Sequence, residues 1–347
     1  MIKRLDNVKI PAGKGEDELY KLVKKRAGGM LGYFRILKKS LDARDKNNIF
    51  WLYSVAYSQN SEAEEEPWFE KLSAAPAPAV CVIGSGPAGL CCAVRLCEHG
   101  YAPVILERGK AVDERSREVD AFFKERKLNP ECNVQFGEGG AGTFSDGKLN
   151  TQTKDGYNRD VLKIFARFGA PEEILYLNKP HIGSDKLKVV LKNIRAYIES
   201  CGGRFLFNKK FVGFGSSGGE LKSVIFRDAL SGAEGELPVS AAVLAVGHSA
   251  RDTFRMLYER GVVMQPRDFA VGVRVEHLSE RISFAQYGKN YKLLPAADYK
   301  LVSHAHERTV FTFCMCPGGV VIPAASEEGG VVVNGMSDFA RDGINSN

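Results

Sequence analysis

One stretch, Val80-Cys-Val-Ile-Gly-Ser-Gly-Pro-Ala-Gly-Leu90, restricts the possible folds of this chain more than any other. Its apolar start has strand length and runs into a glycine turn. The turn opens a helical segment over 87–99, and a second apolar run over 103–106 ends at Glu107. Strand, glycine turn, helix and strand within about 30 residues, with an acidic side chain about 20 positions on, make a dinucleotide-binding pattern. Gly84 permits the tight turn, Gly86 lets the backbone approach a diphosphate, and Gly89 lets the helix pack closely on the strand. The helix start offers unpaired N–H groups and a positive dipole end to phosphate. Pro87 is tolerated there because a first-turn N–H has no intrahelical partner. The pattern therefore assigns Gly84, Ser85, Gly86, Pro87, Ala88 and Gly89 to a nucleotide, with Glu107 at the ribose hydroxyls and Arg108 beside it.

The bare spacing Gly-x-Gly-x-x-Gly occurs three times, at 84/86/89, 137/139/142 and 213/215/218. Context separates them. The third repeat lies between two strand-like runs, 204–212 and 221–226, and reads as a hairpin loop. The second continues into Thr143-Phe-Ser-Asp-Gly147, again without a helix. Only the first stands between a strand and a helix, as a nucleotide site requires.

With 347 residues the chain has room for two or three domains. No apolar run reaches the roughly 18 residues of a membrane span. The start, Met1-Ile-Lys-Arg-Leu-Asp, lacks the apolar core of a secretory signal, so a cytoplasmic protein is expected. Eight cysteines fit that compartment, and Cys81, Cys91, Cys92 and Cys97 read as packing residues of the first βα unit. Residues 1–60 carry 13 Lys/Arg against 6 Asp/Glu, a surplus of seven, which leaves the remainder close to neutral. Such a basic module could attract nucleic acid, an acidic partner or a phosphorylated substrate, but a well-solvated small domain is the preferred reading, and no stable nucleic-acid complex is expected.

The chain divides by pattern into a small basic α/β module (1–60), a linker (61–78), a nucleotide-binding domain in two parts (79–155 and 184–255), a substrate-domain or connecting segment (156–183) and a substrate domain (256–347). The module combines a strand over 8–10, a helix over 16–26 with Leu19, Leu22 and Val23 at helical spacing, and strands over 33–38 and 48–58. The linker holds an acidic run at Glu62 and 64–66, then Ser73-Ala-Ala-Pro-Ala-Pro78. Helices are expected over 113–127, 157–168 and 184–200, the last capped by Ser184 or Asp185. Residues 241–246 read as a buried strand. Further strands over 271–275, 309–313, 319–322 and 330–334 predict a separate sheet. The fold class is thus α/β: a Rossmann-like domain with an inserted strand-rich α+β domain and the small module in front.

From Gly137 through Gly147 there are five glycines, both ends included, with Thr143 and Ser145 among them. Exposed amides of this kind wrap an anion or the edge of a planar ring. Gly139, Gly140, Ala141, Gly142 and Thr143 are therefore assigned to the same ligand, because long loops beside nucleotide sites carry contacts.

In element order the chain resembles the two-domain FAD flavoproteins of the glutathione-reductase type, nearer the hydroxylase-like branch. The resemblance implies FAD rather than NAD. It also implies that backbone near Phe211 lies against the adenine, and that Ala245-Val-Gly247 stands at the family's late strand end, with Val246 in place of threonine. The likeness is closer to a subgroup of FAD-dependent dehydrogenases of bacteria and plastids. It is carried by 133–149, Pro180-His-Ile-Gly183, Phe269-Ala-Val-Gly-Val-Arg274 and Phe313-Cys-Met-Cys-Pro-Gly-Gly319. Relatives of that kind continue past residues 345–347, so the resemblance implies a C-terminally truncated chain lacking a Gly-Asp-type motif near the flavin.

What the resemblance implies chemically is hydride transfer between flavin and a partly apolar small molecule, with flavin monooxygenation as the alternative. A flavin-containing nucleic-acid-binding or scaffold protein is the alternative of another class. Disulfide reductase chemistry does not fit, since that class places Cys-x4-Cys after the flavin loop and here Thr143-Phe-Ser follows Gly142. Electrons would come from NAD(P)H docking transiently or from a donor protein. His181 and Lys148 are the candidate catalytic groups, as polar residues in family-like phrases where a cation would stabilise reduced flavin. Cys314 and Cys316, two apart, would share one face of a strand, as a redox pair or a pocket wall. His304 and His306 lack partners at metal-ligand spacing, and no metal site is expected.

Overall fold

The computed structural model describes residues 1–61, 79–151, 153–305 and 307–347. All but the first residue of the expected linker, including its acidic run, lies outside them, as does His306.

The N-terminal module is β1 (Lys3–Pro11), α1 (Glu16–Arg26), β2 (Tyr33–Asp42) and β3 (Phe50–Ser58). The antiparallel sheet has the order β1-β3-β2. Leu19 and Val23 of α1 pack on Val8, Ile10, Tyr53, Val55 and Tyr57. Both outer strands run longer than the apolar pattern indicated, because backbone pairing with β3 continues where side chains are polar. The module also reaches the rest of the chain: Lys39 donates its N–H to Tyr176 O, and Asn178 donates back to Lys39 O.

A second unit follows: β4 (Val80–Ile83), α2 (Pro87–Glu98), β5 (Val104–Leu106), α3 (Val112–Glu125), α4 (Tyr157–Arg167), α5 (Ser184–Ser200), β6 (Arg204–Leu206), β7 (Lys209–Ser217), β8 (Glu220–Asp228), β9 (Glu234–Pro238), β10 (Ala241–Leu244) and α6 (Arg251–Glu259). Four strands form a parallel sheet in the order β10-β4-β5-β6. Alternation along β4 divides the core. Val82 points with Ile105 to one face, covered by Leu90 and Val94 of α2 and by Leu191 and Ile194 of α5. Cys81 and Ile83 point with Leu106 to the other, against Phe211, Val224 and Leu257. Burial on both faces is the ordinary condition of a parallel sheet. Cys81 and Cys97 are buried in this packing, as expected of apolar filler.

Helix α2 sits very close to β4. A Cβ on Gly89 would lie 2.0 Å from Gly84 O. Gly89→Ala is therefore expected to lift the helix off the strand and to cost about 2 kcal/mol or more. A denaturant melt checks this, and an unchanged midpoint would count against the contact.

The single strand expected over 204–212 is two. Asn208 at φ 56° turns the chain between β6 and β7, so the first part joins the parallel sheet and the second starts an antiparallel one. The third glycine repeat does lie in a β7–β8 hairpin, whose turn is Gly218-Gly219, both at positive φ. The strand expected to be buried over 241–246 is shorter and forms the sheet edge, with Leu244 49% exposed.

The C-terminal region is strand-rich but is built from short ribbons. It contains β11 (His277–Leu278), α7 (Ser279–Tyr287), β12 (Val302–Ser303), β13 (Val310–Phe311), β14 (Val320–Pro323), β15 (Val333–Met336) and β16 (Asn345–Ser346). These pair as β11–β16, β12–β13 and β14–β15, each antiparallel. Residues 271–275 form no strand despite their alternating valines. Val271 and Val273 are about nine-tenths exposed, and among the described residues no backbone pairs with them. The separate sheet expected here is replaced by these ribbons among the described residues.

Candidate functional site

The carboxyl ends of β4 and β10 are where the order of the parallel sheet reverses, and crevices of α/β sheets open at such points. A cavity of about 550 Å³ lies there. Its walls are the first glycine turn, the second glycine loop, the start of β7 and the Gly247–Ala250 connection into α6. Gly84 holds the turn at φ 103°, where a Cβ would collide with Ala245 O at 2.3 Å. Gly86, at φ −72° and ψ 179°, is the N-cap of α2. Pro87 and Ala88 follow it, exposed toward the opening. The first-turn amides have no intrahelical acceptor. Across the gap, a Cβ on Gly140 would stand 3.0 Å from Gly86 Cα. Two glycine backbones thus face each other with no side chain between them.

Of the residues expected at a nucleotide, the cavity gathers Gly84, Gly86, Pro87, Ala88, Glu107, Arg108, Gly140, Ala141, Gly142, Phe211 and Gly247. Ser85, Gly89, Gly139 and Thr143 do not line it. They stand behind it, each for a packing reason. Ser85 is fully buried and donates both its N–H (2.9 Å) and its hydroxyl (2.7 Å) to Glu107 Oε2. Gly89 lies under α2. Gly139 donates its N–H to Ser85 O at 2.8 Å, joining the two glycine segments. Thr143 is fully buried and bonds to Glu138 O.

Glu107 lines the cavity, but its carboxylate is already engaged. Oε1 accepts from Gly109 N (2.9 Å) and Gly137 N (3.0 Å), while Oε2 takes the two bonds from Ser85. The residue ties both glycine segments to the end of β5.

Arg115, on α3, was not singled out by sequence. It is completely buried and gives its donors to Asn133 O (3.0 Å), Val134 O (2.9 Å), Glu138 O (2.6 Å), Gly137 O (3.3 Å) and Thr143 Oγ1 (3.1 Å). Burial lowers its pKa to about 10, which leaves it charged at neutral pH. A signal for it existed: Val112, Arg115 and Val119 share one helical stripe, with the arginine among apolar positions. Other lining residues that sequence reasoning missed are Gln135, Lys210, His248, Ser249 and Thr253.

His181 and Lys148 pair with each other across an isolated bridge, away from the cavity lining. His181 Nε2 is 2.9 Å from Phe339 O, so Nε2 carries the proton, and its ring stacks on Phe339 at 5.3 Å. Lys148 Nζ bonds to Met315 O and pairs with Asp146 at 2.9 Å. Asp146 also receives Ser337 Oγ (2.7 Å) and both Arg341 Nε (2.8 Å) and Nη2 (2.6 Å). Burial alone would raise this carboxyl, but Arg341 and Lys148 outweigh it and hold it below the usual range. Neither Ser184 nor Asp185 caps α5. The N-cap is Gly183, because a Cβ there would meet Phe339 N at 2.1 Å, and the two side chains instead bond to Asp338 and Phe339.

Burial first, and then Arg341, lowers the pKa of His181. A histidine depressed in the folded state keeps its full contribution above the unfolded value and loses it as pH falls. Stability should therefore drop as pH descends from about 6.5, where an unfolded histidine titrates. Melts at pH 8 and pH 5.5 check this. The drop should shrink in His181→Gln, and an unchanged slope would place the dependence elsewhere.

Cys314 is exposed and Cys316 buried, because no strand forms there to align them on one face. Burial raises the Cys316 thiol above its ordinary value, which keeps it protonated. His304 bonds to Thr309. Among the described residues no helix is long and apolar enough to cross a membrane.

Residues 82–119 match the NAD(P)-binding Rossmann-like domain family, and residues 268–347 match the family described as FAD-dependent protein, C-terminal domain-like. The chain is 44% identical over 336 residues to an uncharacterized protein of Clostridium beijerinckii, covering 90% of this chain and 61% of that one. It thus spans about three-fifths of that relative's length. Among solved structures, the glycerol-3-phosphate dehydrogenase of Bacillus halodurans complexed with FAD is similar at TM-score 0.36 and 11% identity, covering 77% of this chain and 49% of that one. Thermovibrio ammonificans THI4 is similar at TM-score 0.35 and 15% identity, covering 54% and 64%. Fold and family matches together give a Rossmann-like nucleotide-binding unit followed by a strand-rich region that matches the FAD-dependent protein C-terminal domain family.

Proposed function

We propose that the cavity holds FAD and that the chain is an oxidoreductase exchanging a hydride with a small, partly apolar organic molecule. The supporting observation is the pair of glycine backbones facing each other at the start of α2. Their direct contact leaves a wall of bare backbone along which an extended diphosphate would lie, and side chains there would obstruct it. The N–H groups of Gly86 and Ala88 and the helix dipole would meet its charge. Phe211 and Arg108 would hold the adenosine, and Gly140, Ala141 and Gly142 the flavin. Glu107, its carboxylate taken up by Ser85, Gly109 and Gly137, fixes the two glycine segments at the right separation rather than reaching the ribose itself.

The flavin supplies two-electron chemistry, and the chain's residues bind it, orient it and shield it from water. In this reading His181 and Lys148 hold the 315 and 337–341 segments against the nucleotide domain rather than exchange protons with substrate. The third glycine repeat lies in a hairpin without a helix, so a nicotinamide donor docks transiently or a partner protein delivers electrons.

The test is a visible spectrum of the purified chain, before and after FAD addition. A bound-flavin spectrum, or uptake of FAD to one equivalent, is expected. A colourless protein that takes up none overturns the reading.

A further inference from the structure

We propose that Glu131 and Asp252 set the nucleotide specificity of the cavity, by closing a ring of charge around Arg108 and Lys210 that refuses an adenosine carrying a phosphate on its ribose. This rests on the cofactor reading above and adds to it which nucleotides are turned away.

Two basic side chains, Arg108 and Lys210, line the adenosine end of the cavity. Left free, they would form a phosphate site, since a guanidinium and an ammonium side by side are what a ribose phosphate requires. They are not free. Arg108 is paired with Glu131 at 2.6 Å and with Asp252 at 2.8 Å. Lys210 is paired with the same two carboxylates, at 2.9 Å and 2.6 Å. The four charges alternate in sign and sum to zero. Arg108 is further fixed by Phe136, whose ring centre lies 4.1 Å from the guanidinium. Lys209, the next cation at this end, is taken by Asp228.

The ring draws on four separate segments: the turn after β5, the approach to the second glycine loop, β7 and α6. Nothing about local folding requires two carboxylates to converge there. Their effect at the cavity is to cancel the positive field where a dinucleotide such as FAD carries no phosphate. A nucleotide with an added ribose phosphate would have to displace a carboxylate to find a cation, or sit beside two anions. Discrimination of this kind comes from repulsion and unmet pairing as much as from attraction.

The experiment compares ADP-ribose with ADP-ribose 2′-phosphate, which differ only in that phosphate, on the full chain stripped of bound nucleotide. The wild-type chain should bind ADP-ribose about tenfold tighter. Asp252→Asn and Glu131→Gln should each bind ADP-ribose about as the wild type does, while the preference falls about threefold or more. Retained ADP-ribose affinity reports that the variant is folded. Asp252 carries the lower folding risk, its side chain being 42% exposed, and the wild-type ratio needs no variant. Equal wild-type affinities, or an unmoved ratio in folded variants, overturn the inference while the cofactor reading stands. If the wild type binds neither nucleotide, the cofactor reading itself fails.

Discussion

Gly86→Ala should fold as well as the wild type and bind FAD about 100-fold more weakly. The two halves of that result have separate causes. Gly86 sits at φ −72°, which alanine adopts without strain. An added Cβ would find its nearest neighbour, Gly140 Cα, at 3.8 Å, an ordinary contact. Losing a glycine's unfolded-state freedom even favours folding slightly, by about 0.5 kcal/mol. The new methyl, however, replaces bare backbone on the cavity wall along which the diphosphate would lie. Gly84→Ala makes the contrast. There φ is 103° and the Cβ would stand 2.3 Å from Ala245 O, so the fold itself suffers. Denaturant melts and FAD titrations of both variants give the check. A Gly86→Ala protein with undiminished flavin affinity would show that the diphosphate lies elsewhere.

Arg115→Met should cost about 4 kcal/mol of stability and take flavin binding with it. Methionine nearly fills the volume but leaves Asn133 O and Val134 O buried without a donor and Glu138 O with only the Thr143 hydroxyl. Each unmet buried acceptor costs about 1–3 kcal/mol. Gly137 explains why nothing else serves: a Cβ at that position would be 2.4 Å from Arg115 Cδ, so loop and guanidinium are fitted to each other. Glu107 and Glu138 lie close enough to favour the charged arginine, so the variant also removes a buried countercharge. Arg115→Lys should recover only part of the loss, because one ammonium cannot reach carbonyls spread along the loop. Unfolding free energies measure the first claim and flavin content the second. A methionine variant within about 1 kcal/mol of wild type would reduce Arg115 to one contact among many.

The nucleotide unit was legible because its information is local. Strand, turn and helix follow within 20 residues, and the glycines mark backbone positions that other residues cannot occupy. Context also sorted the three glycine repeats, since the 213–218 repeat does lie in a hairpin. The C-terminal strands were not legible in the same way. Residues 271–275 alternate as a strand should, yet a strand exists only where another backbone pairs with it, and alternation does not say whether one does. Asn208 split an apolar run that periodicity read as continuous.

The candidate site divides along the same line. Residues placed by the chain's own turn, such as Gly86, Pro87 and Ala88, were found from spacing. Whether a neighbour in sequence faces the ligand or stands behind it was decided by packing: Ser85 turns inward to Glu107, and Thr143 to Arg115. His181 and Lys148 do sit together, but their partners are 158 and 167 residues further on, and only those partners show what the two side chains do. The four charges of the ring come from residues 108, 131, 210 and 252, each unremarkable on a polar stretch. The amino-acid sequence by itself determined a diphosphate-sized turn at the start of a helix, because that rests on backbone conformations fixed within a few residues. Tertiary structure alone decided which polar groups surround it and which are spent on one another, because pairing between charges depends on distances that only the folded chain sets.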